Sequence, residues 1–252
     1  MNKLAVALAL ISLAEPSFAD TASLFREGRF VEAGQAGAKE ATPEALVLAA
    51  RSVLAVAAYR TTDKARAMQL CEEAGRLADA ALAKRPGYEP ALLQKGIAIG
   101  YVAKLERSPG RARQARKIMD QARSLAPDDA HAWAALGGWH GESVATLGSF
   151  LAGTALGAKK GESIKAFETA LAKDNGGAVV PTFYAFTLLA LDADNAARAR
   201  ALLMQASRST PRDGVDALLK RQAEQVLPLL QKNDVAGARA LARRLQPFGT
   251  LA

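Results

Sequence analysis

The feature that most constrains this chain is a set of small residues that recurs with one internal spacing and one ending. Ala74, Ala78 and Ala81 lead to Pro86; Ala115, Met119 and Ala122 lead to Pro127; Ala199, Leu203 and Ala206 lead to Pro211. A weaker copy, Ser163, Phe167 and Ala170, runs into Asn175-Gly176-Gly177. Spacings of four and three put each set on one face of a helix, and small side chains there let a neighbouring helix come close. The Pro or Gly that follows stops the helix and turns the chain. Repetition of helix, close contact and stop implies stacked helices.

Composition agrees. Half of the 252 residues are hydrophobic and 23% are charged, too apolar for a disordered chain and enough for a sizeable core. Aromatics make up only 6% and β-branched residues are thin, which argues against a β-sandwich or barrel. Helical periodicity and stop signals predict helices over 21–27, 29–40, 43–60, 63–85, 88–105, 109–125, 129–147, 160–173, 179–191, 194–209, 213–231 and 233–245, with Pro228 ending or bending the eleventh.

Eight to ten residues after two of the stops come Gly96 and Gly137, the second within Trp133-x2-Leu136-Gly137. Together with Ala115, Met119, Ala122 and Pro127, these residues resemble the tetratricopeptide repeat, a helix-turn-helix unit of about 34 residues. The resemblance covers residues 63–212. It implies an all-α solenoid of about six antiparallel helix pairs in a right-handed superhelix, with Trp133 in the inter-helix core and Gly137 where two helices touch. The family's register places Pro90, Leu93, Ile97 and Gly100, then His131, Ala134, Gly138 and Gly141, then Val179, Thr182, Phe186 and Leu189 on a concave groove expected to be apolar and shallow. The Lys/Asn pattern with which some members clamp a peptide carboxylate is missing.

The stops lie 41, 48 and 36 residues apart, so two units exceed the repeat by about 7 and 14 residues. Both additions fall between the first and second helix of their units and are expected on one rim. The second, Gly148 to Gly161, is apolar and contains Phe150, Leu151 and Leu156. It either lengthens the two helices and packs back on the body, or forms a mobile tip, flanked by Lys159 and Lys160, that docks a partner or an anionic membrane surface.

The N-terminus reads as an export signal. Lys3 precedes an apolar run from Leu4 to Ala14; Pro16 breaks it, and Ser17-Phe18-Ala19 supplies small residues at a cleavage site. Eleven apolar residues are too few for a membrane span, which takes about 20. The expected organisation is a cleaved signal over 1–19 and one repeat domain over 20–252, periplasmic or secreted, with no transmembrane segment in the mature chain. Removing the signal takes one Lys and one Glu and leaves the net charge at +8.

Residues suited to covalent chemistry are few. One cysteine, Cys71, excludes an intrachain disulfide, and its neighbours Glu72 and Glu73 oppose thiolate formation. His131 and His140 are nine apart, on opposite sides of one helix, and cannot share a metal. No nucleophile elbow, phosphate loop or His-Glu-x-x-His occurs. No enzymatic activity, cofactor or metal is expected.

The basic excess has a location. Lys104, Arg107, Arg111, Arg113, Arg116 and Lys117 cluster around the first addition, and Lys159 and Lys160 lie in the second. A positive rim would attract an anionic envelope component. Nucleic acid is not expected, because aromatics for base stacking are scarce. The candidate partner-binding residues are His131, Trp139, His140, Phe150, Lys159, Lys160, Arg111 and Arg113. The expected function is an exported, non-catalytic scaffold for a protein partner. The alternatives are a small-ligand carrier with a pocket near 139–158 and, less favoured, an enzyme subunit.

Overall fold

The structure is a computed structural model and describes residues 18–251. The expected export signal lies outside the described residues except for its last two positions, which open the first helix. Twelve α-helices follow one another and no strand occurs among the described residues: α1 (Phe18–Arg26), α2 (Phe30–Glu40), α3 (Pro43–Tyr59), α4 (Lys64–Lys84), α5 (Glu89–Glu106), α6 (Pro109–Leu125), α7 (Ala130–Leu151), α8 (Lys160–Lys173), α9 (Val179–Leu191), α10 (Ala196–Arg208), α11 (Gly214–Gln231) and α12 (Val235–Leu245). They form a tetratricopeptide-like α-solenoid of six pairs. Among these residues no helix is long and apolar enough to cross a membrane.

Local chemistry sets the helix starts. The side chains of Thr42, Asp63, Ser108, Asp129, Asp213 and Asp234 each accept a hydrogen bond from a backbone N–H in the first turn. Each satisfies a donor that the helix leaves unpaired. Pro43 and Pro109 stand at first-turn positions that need no N–H. Pro228 does not end α11, which runs on to Gln231.

The recurring small residues lie between helices. Ala74, Ala78, Ala81, Ala115, Ala122, Ala199 and Ala206 are completely buried. Gly96 faces Met119, and Gly137 faces the Phe167 ring, where an added Cβ would come within 2.9 Å and 2.7 Å of the facing side chain. Ser163 donates to the Gly137 carbonyl at 2.7 Å and ties α8 to α7 at this crossing. Phe167 in turn stacks on Tyr184 of α9, with ring centroids 4.9 Å apart.

Trp133 fills the expected core role in part, packing against the core from its edge. It is only partly buried, its indole N–H donating to the Pro127 carbonyl (2.8 Å) under the Arg123 guanidinium. The buried tryptophan is Trp139, 8% exposed, whose N–H donates to the Ala112 carbonyl (2.8 Å). An indole at position 133 lies over the mouth of the preceding turn, and six residues further into α7 the neighbouring helices cover the side chain.

The two extra-long units have different outcomes. The first has no inserted loop: α5 and α6 are simply longer and join through Arg107-Ser108. In the second, α7 is interrupted at Gly148 (φ 77°, ψ 159°); the chain then makes a π-helical turn over Ala152–Leu156 and reverses at Gly157 (φ 70°). Ala152, Leu156 and Ala158 are buried, so part of the segment packs back on the body. Leu147, Phe150 and Leu151 are exposed, so the rest does not. The two additions lie side by side, as the shared rim requires. Arg113 donates to the Ala155 carbonyl (2.9 Å) and Arg116 to that of Gly157 (3.4 Å).

Candidate binding groove

The first helices of successive pairs are not evenly spaced. α7 packs closely on α9, whereas α5 and α7 touch at few points. The gap is a cavity of about 390 Å³ whose wall is mainly apolar. Ile97, Gly100 and Tyr101 come from α5, Ala112 and Met119 from α6, Ala134, Ala135, Gly138 and Trp139 from α7, and Val179, Phe183 and Thr187 from α9. The side chain of Leu156 closes the end beneath the second addition.

Six of the expected groove positions line it: Ile97, Gly100, His131, Ala134, Gly138 and Val179. The register on α9 is different. Val179, Phe183 and Thr187, four apart, face the cavity, while Thr182, Phe186 and Leu189 are buried on the adjoining flank of the helix. Gly141 is likewise drawn into the crossing with Ser163 and Thr187. A face with few polar residues gives little sign of which stripe is open, and α9 is buried almost all round. The groove is apolar as expected and takes the form of a half-open pocket between α5 and α7.

One wall is the chain's own end. After α12 the segment Gln246–Leu251 turns back across α5. Phe248 is 6% exposed, stands edge-on to Tyr101 at 4.9 Å, and donates its N–H to the Ala58 carbonyl of α3 (3.0 Å). Lys104 donates to the Pro247 carbonyl (3.2 Å) and pairs with Glu142 of α7 at 2.9 Å. These contacts join α5, α7 and the tail at the cavity mouth. Nothing in the periodicity of residues 246–252 announced this, because the segment has no helical pattern.

The expected site residues separate into three places. His131 and Trp139 line the cavity; His131 is held by Asp129 at 3.4 Å, and the Trp139 ring lies under the Arg116 guanidinium at 5.2 Å. His140 points away from the cavity. It is buried against Trp139, and its Nδ1 accepts a hydrogen bond from the Lys159 backbone N–H (3.3 Å). Burial, with Arg116 next in effect, lowers its pKa to about 4, so the imidazole is neutral. Arg111, Arg113, Phe150, Lys159 and Lys160 belong to the rim. Arg111 pairs with Glu106 (2.7 Å) and Lys160 with Asp192 (3.4 Å), so part of the expected positive field is neutralised.

Two further groups stand apart. Cys71 is completely buried, and burial pushes its thiol up to about 12. Glu89, at the start of α5, has its pKa raised to about 7 by burial and by the neighbouring Asp129 carboxylate. No group of three or more His, Cys, Asp or Glu that could hold a metal occurs among the described residues.

The sequence profile of the family described as "Regulator of microtubule dynamics protein 1-3" matches residues 33–231, most of the chain. The chain belongs to this family. Its match runs from α2 to the end of α11 and therefore contains the cavity-lining helices, but not the tail that closes the groove. Among curated proteins none matches. Among solved structures, a thermophilic tetratricopeptide-repeat protein of Thermus thermophilus is similar, with a TM-score of 0.58 and 19% identity over 81% of this chain and 95% of that one. At that identity the likeness is one of fold. A repeat fold of this kind is typically a non-catalytic scaffold for protein partners, though fold alone does not fix function.

Proposed function

We propose that this family member is an exported, non-catalytic binding module whose groove receives an apolar segment of a protein partner. The observation that carries the reading is the seat of Phe248. Phe248 seats an aromatic side chain of the tail against α3 and α5, Gln246 and Pro247 beside it line the groove, and from there an apolar cavity of about 390 Å³ continues between α5 and α7. The exposed Arg107 at the mouth favours a segment with an acidic residue beside its aromatic one. Export rests on Lys3, the apolar run to Ala14 and the Ser17-Phe18-Ala19 junction. From the family description we carry over only the repeat scaffold, because an exported chain would not meet cytoplasmic filaments.

The chain's own tail is a ready probe. A synthetic peptide covering residues 244–252 is added to the full chain carrying Phe248→Ser, and binding is followed through the fluorescence of Trp139. The peptide should bind the variant, bind the parent poorly, and lose binding when its Phe is replaced by Ala. No binding to a folded variant would remove the support for segment recognition. For export, residues 1–25 fused to a reporter active only outside the cytoplasm should give signal, with the mature chain starting at Asp20; recovery of intact Met1 protein from membranes would refute it.

A second reading is favoured by the cavity's apolar wall, to which Trp139 and Leu156 contribute. The cavity's volume suits a small amphipathic molecule as well as a side chain. Native mass spectrometry of the purified chain decides this: a discrete added mass lost on denaturation supports a small-ligand carrier.

A further inference from the structure

We propose that the turn between α7 and α8 is a membrane-contact element that seats on an anionic phospholipid bilayer. This does not depend on the groove. Phe150 is 79% exposed, Leu151 55% and Leu147 40%, three large apolar side chains within five residues. Phe25, Phe30, Phe167, Phe186 and Phe248 are buried and Phe183 is half-buried in the cavity wall, so Phe150 stands apart from the other phenylalanines whose burial is described. Val31 and Leu125, also exposed, are isolated in sequence from this group and from each other.

The tip is fixed and outward-facing. Ala152, Leu156 and Ala158 anchor it from below, and Arg113 and Arg116 hold the Ala155 and Gly157 carbonyls. Its backbone is hydrogen-bonded locally. The Thr154 hydroxyl lies 3.1 Å from the Phe150 carbonyl and 3.4 Å from that of Leu151, and the N–H groups of Gly157 and Ala158 bond back to Gly153 and Ala152. The turn presents Leu147, Phe150 and Leu151 outward, with the small polar side chains of Thr146, Ser149 and Thr154 among them, and the carbonyls of residues 150–153, 155 and 157 have hydrogen-bond partners, which lowers the cost of entering the edge of a bilayer.

The base of the tip is cationic. Lys159, in the turn, and Lys117, one helical turn beyond the exposed Arg113 on the same face of α6, are exposed and pair with no carboxylate among the described residues. The nearby carboxylates Glu106, Asp120 and Glu142 are each engaged by Arg or Lys; Glu162, early in α8, is the exception. The chain's net charge of +8 adds long-range attraction. Apolar side chains in front of a positive base complement an anionic headgroup layer over hydrocarbon.

The test compares full-length parent and variants that share one N-terminus, so any binding by the N-terminal apolar run cancels. Vesicles are of phosphatidylcholine alone, or with about a third replaced by phosphatidylglycerol. The parent should sediment with the anionic vesicles at least about tenfold better than with the neutral ones, and less well at high salt. Phe150→Ser with Leu151→Ser should lose roughly tenfold in that partition with unchanged thermal melting, since both side chains are exposed. Lys117→Glu with Lys159→Glu should lose a similar factor. Phe150→Trp should show blue-shifted emission, relative to the parent's two tryptophans, only with anionic vesicles. Equal partition of parent and double-Ser variant overturns the proposal. So does a parent dimer in ultracentrifugation that the double-Ser change abolishes without changing vesicle binding, because the tip then pairs two copies of this chain.

Discussion

A Cβ at position 137 would stand 2.7 Å from the ring of Phe167, so the glycine of α7 and the phenylalanine of α8 divide one space between them. Gly138, next to it, has no atom within 4 Å of its would-be Cβ. The same substitution should therefore have opposite signs at adjacent residues. Gly138→Ala should stabilise by up to ~1 kcal/mol, the helix-propensity gain. Gly137→Ala should destabilise by ~1–3 kcal/mol through overpacking, and Gly137→Leu by more. Urea melts of the three variants read this directly; equal signs at 137 and 138 would mean that α7 and α8 cross elsewhere.

The two tryptophans of α7 should differ in cost. Trp139 is 8% exposed and packed between α6 and α7, so its truncation to Ala should remove about 3–5 kcal/mol. Trp133 is partly exposed over the Pro127 turn, and its truncation should cost no more than about 2 kcal/mol. Chemical denaturation of both variants settles the order, and a larger loss at 133 would move it from the edge to the centre of the repeat core.

His140 sets an acid limit. Its pKa in the fold, about 4, lies below the ordinary 6.5, so folding favours the neutral ring. This contribution is complete above pH 6.5 and is lost as the pH falls through 4. In unfolding measured from pH 7 to pH 4, the parent should lose stability relative to His140→Gln, by up to about 3 kcal/mol at the acid end. A constant gap would show that the ring is not held neutral.

Glu89 acts in the other direction. Its pKa is raised from the ordinary 4.5 to about 7, so folding favours the protonated acid beside Asp129. Its contribution is complete below pH 4.5 and is lost as the pH rises through 7. Glu89→Gln should therefore become more stable than the parent as the pH rises from 4.5 to 8, by on the order of 1 kcal/mol once partial solvent screening is allowed for. A gap that closes toward pH 8 would contradict the assignment.

Sequence alone determined the elements and their order. Ala, Gly and Pro spacing, together with Thr42, Asp63, Ser108 and Asp129 as caps, placed the helix boundaries to within a few residues, with α7 the main exception, because capping and turning are local. Small residues at 74, 115, 137 and 199 fixed where helices could touch, since no larger side chain leaves room. The groove needed the tertiary structure. Which face of α9 lies open, and that Phe183 and Thr187 line the cavity where Phe186 and Leu189 do not, depends on how far α5 and α7 splay; no periodicity records that in a helix buried on nearly every side. For Phe150 the sequence left packing and exposure both open, and the inward turn of Phe248 was illegible. An apolar residue reads the same in sequence whether a neighbour covers it or not, and both are decided by contacts between segments far apart in the chain: Arg113 with Ala155, and Phe248 with Tyr101.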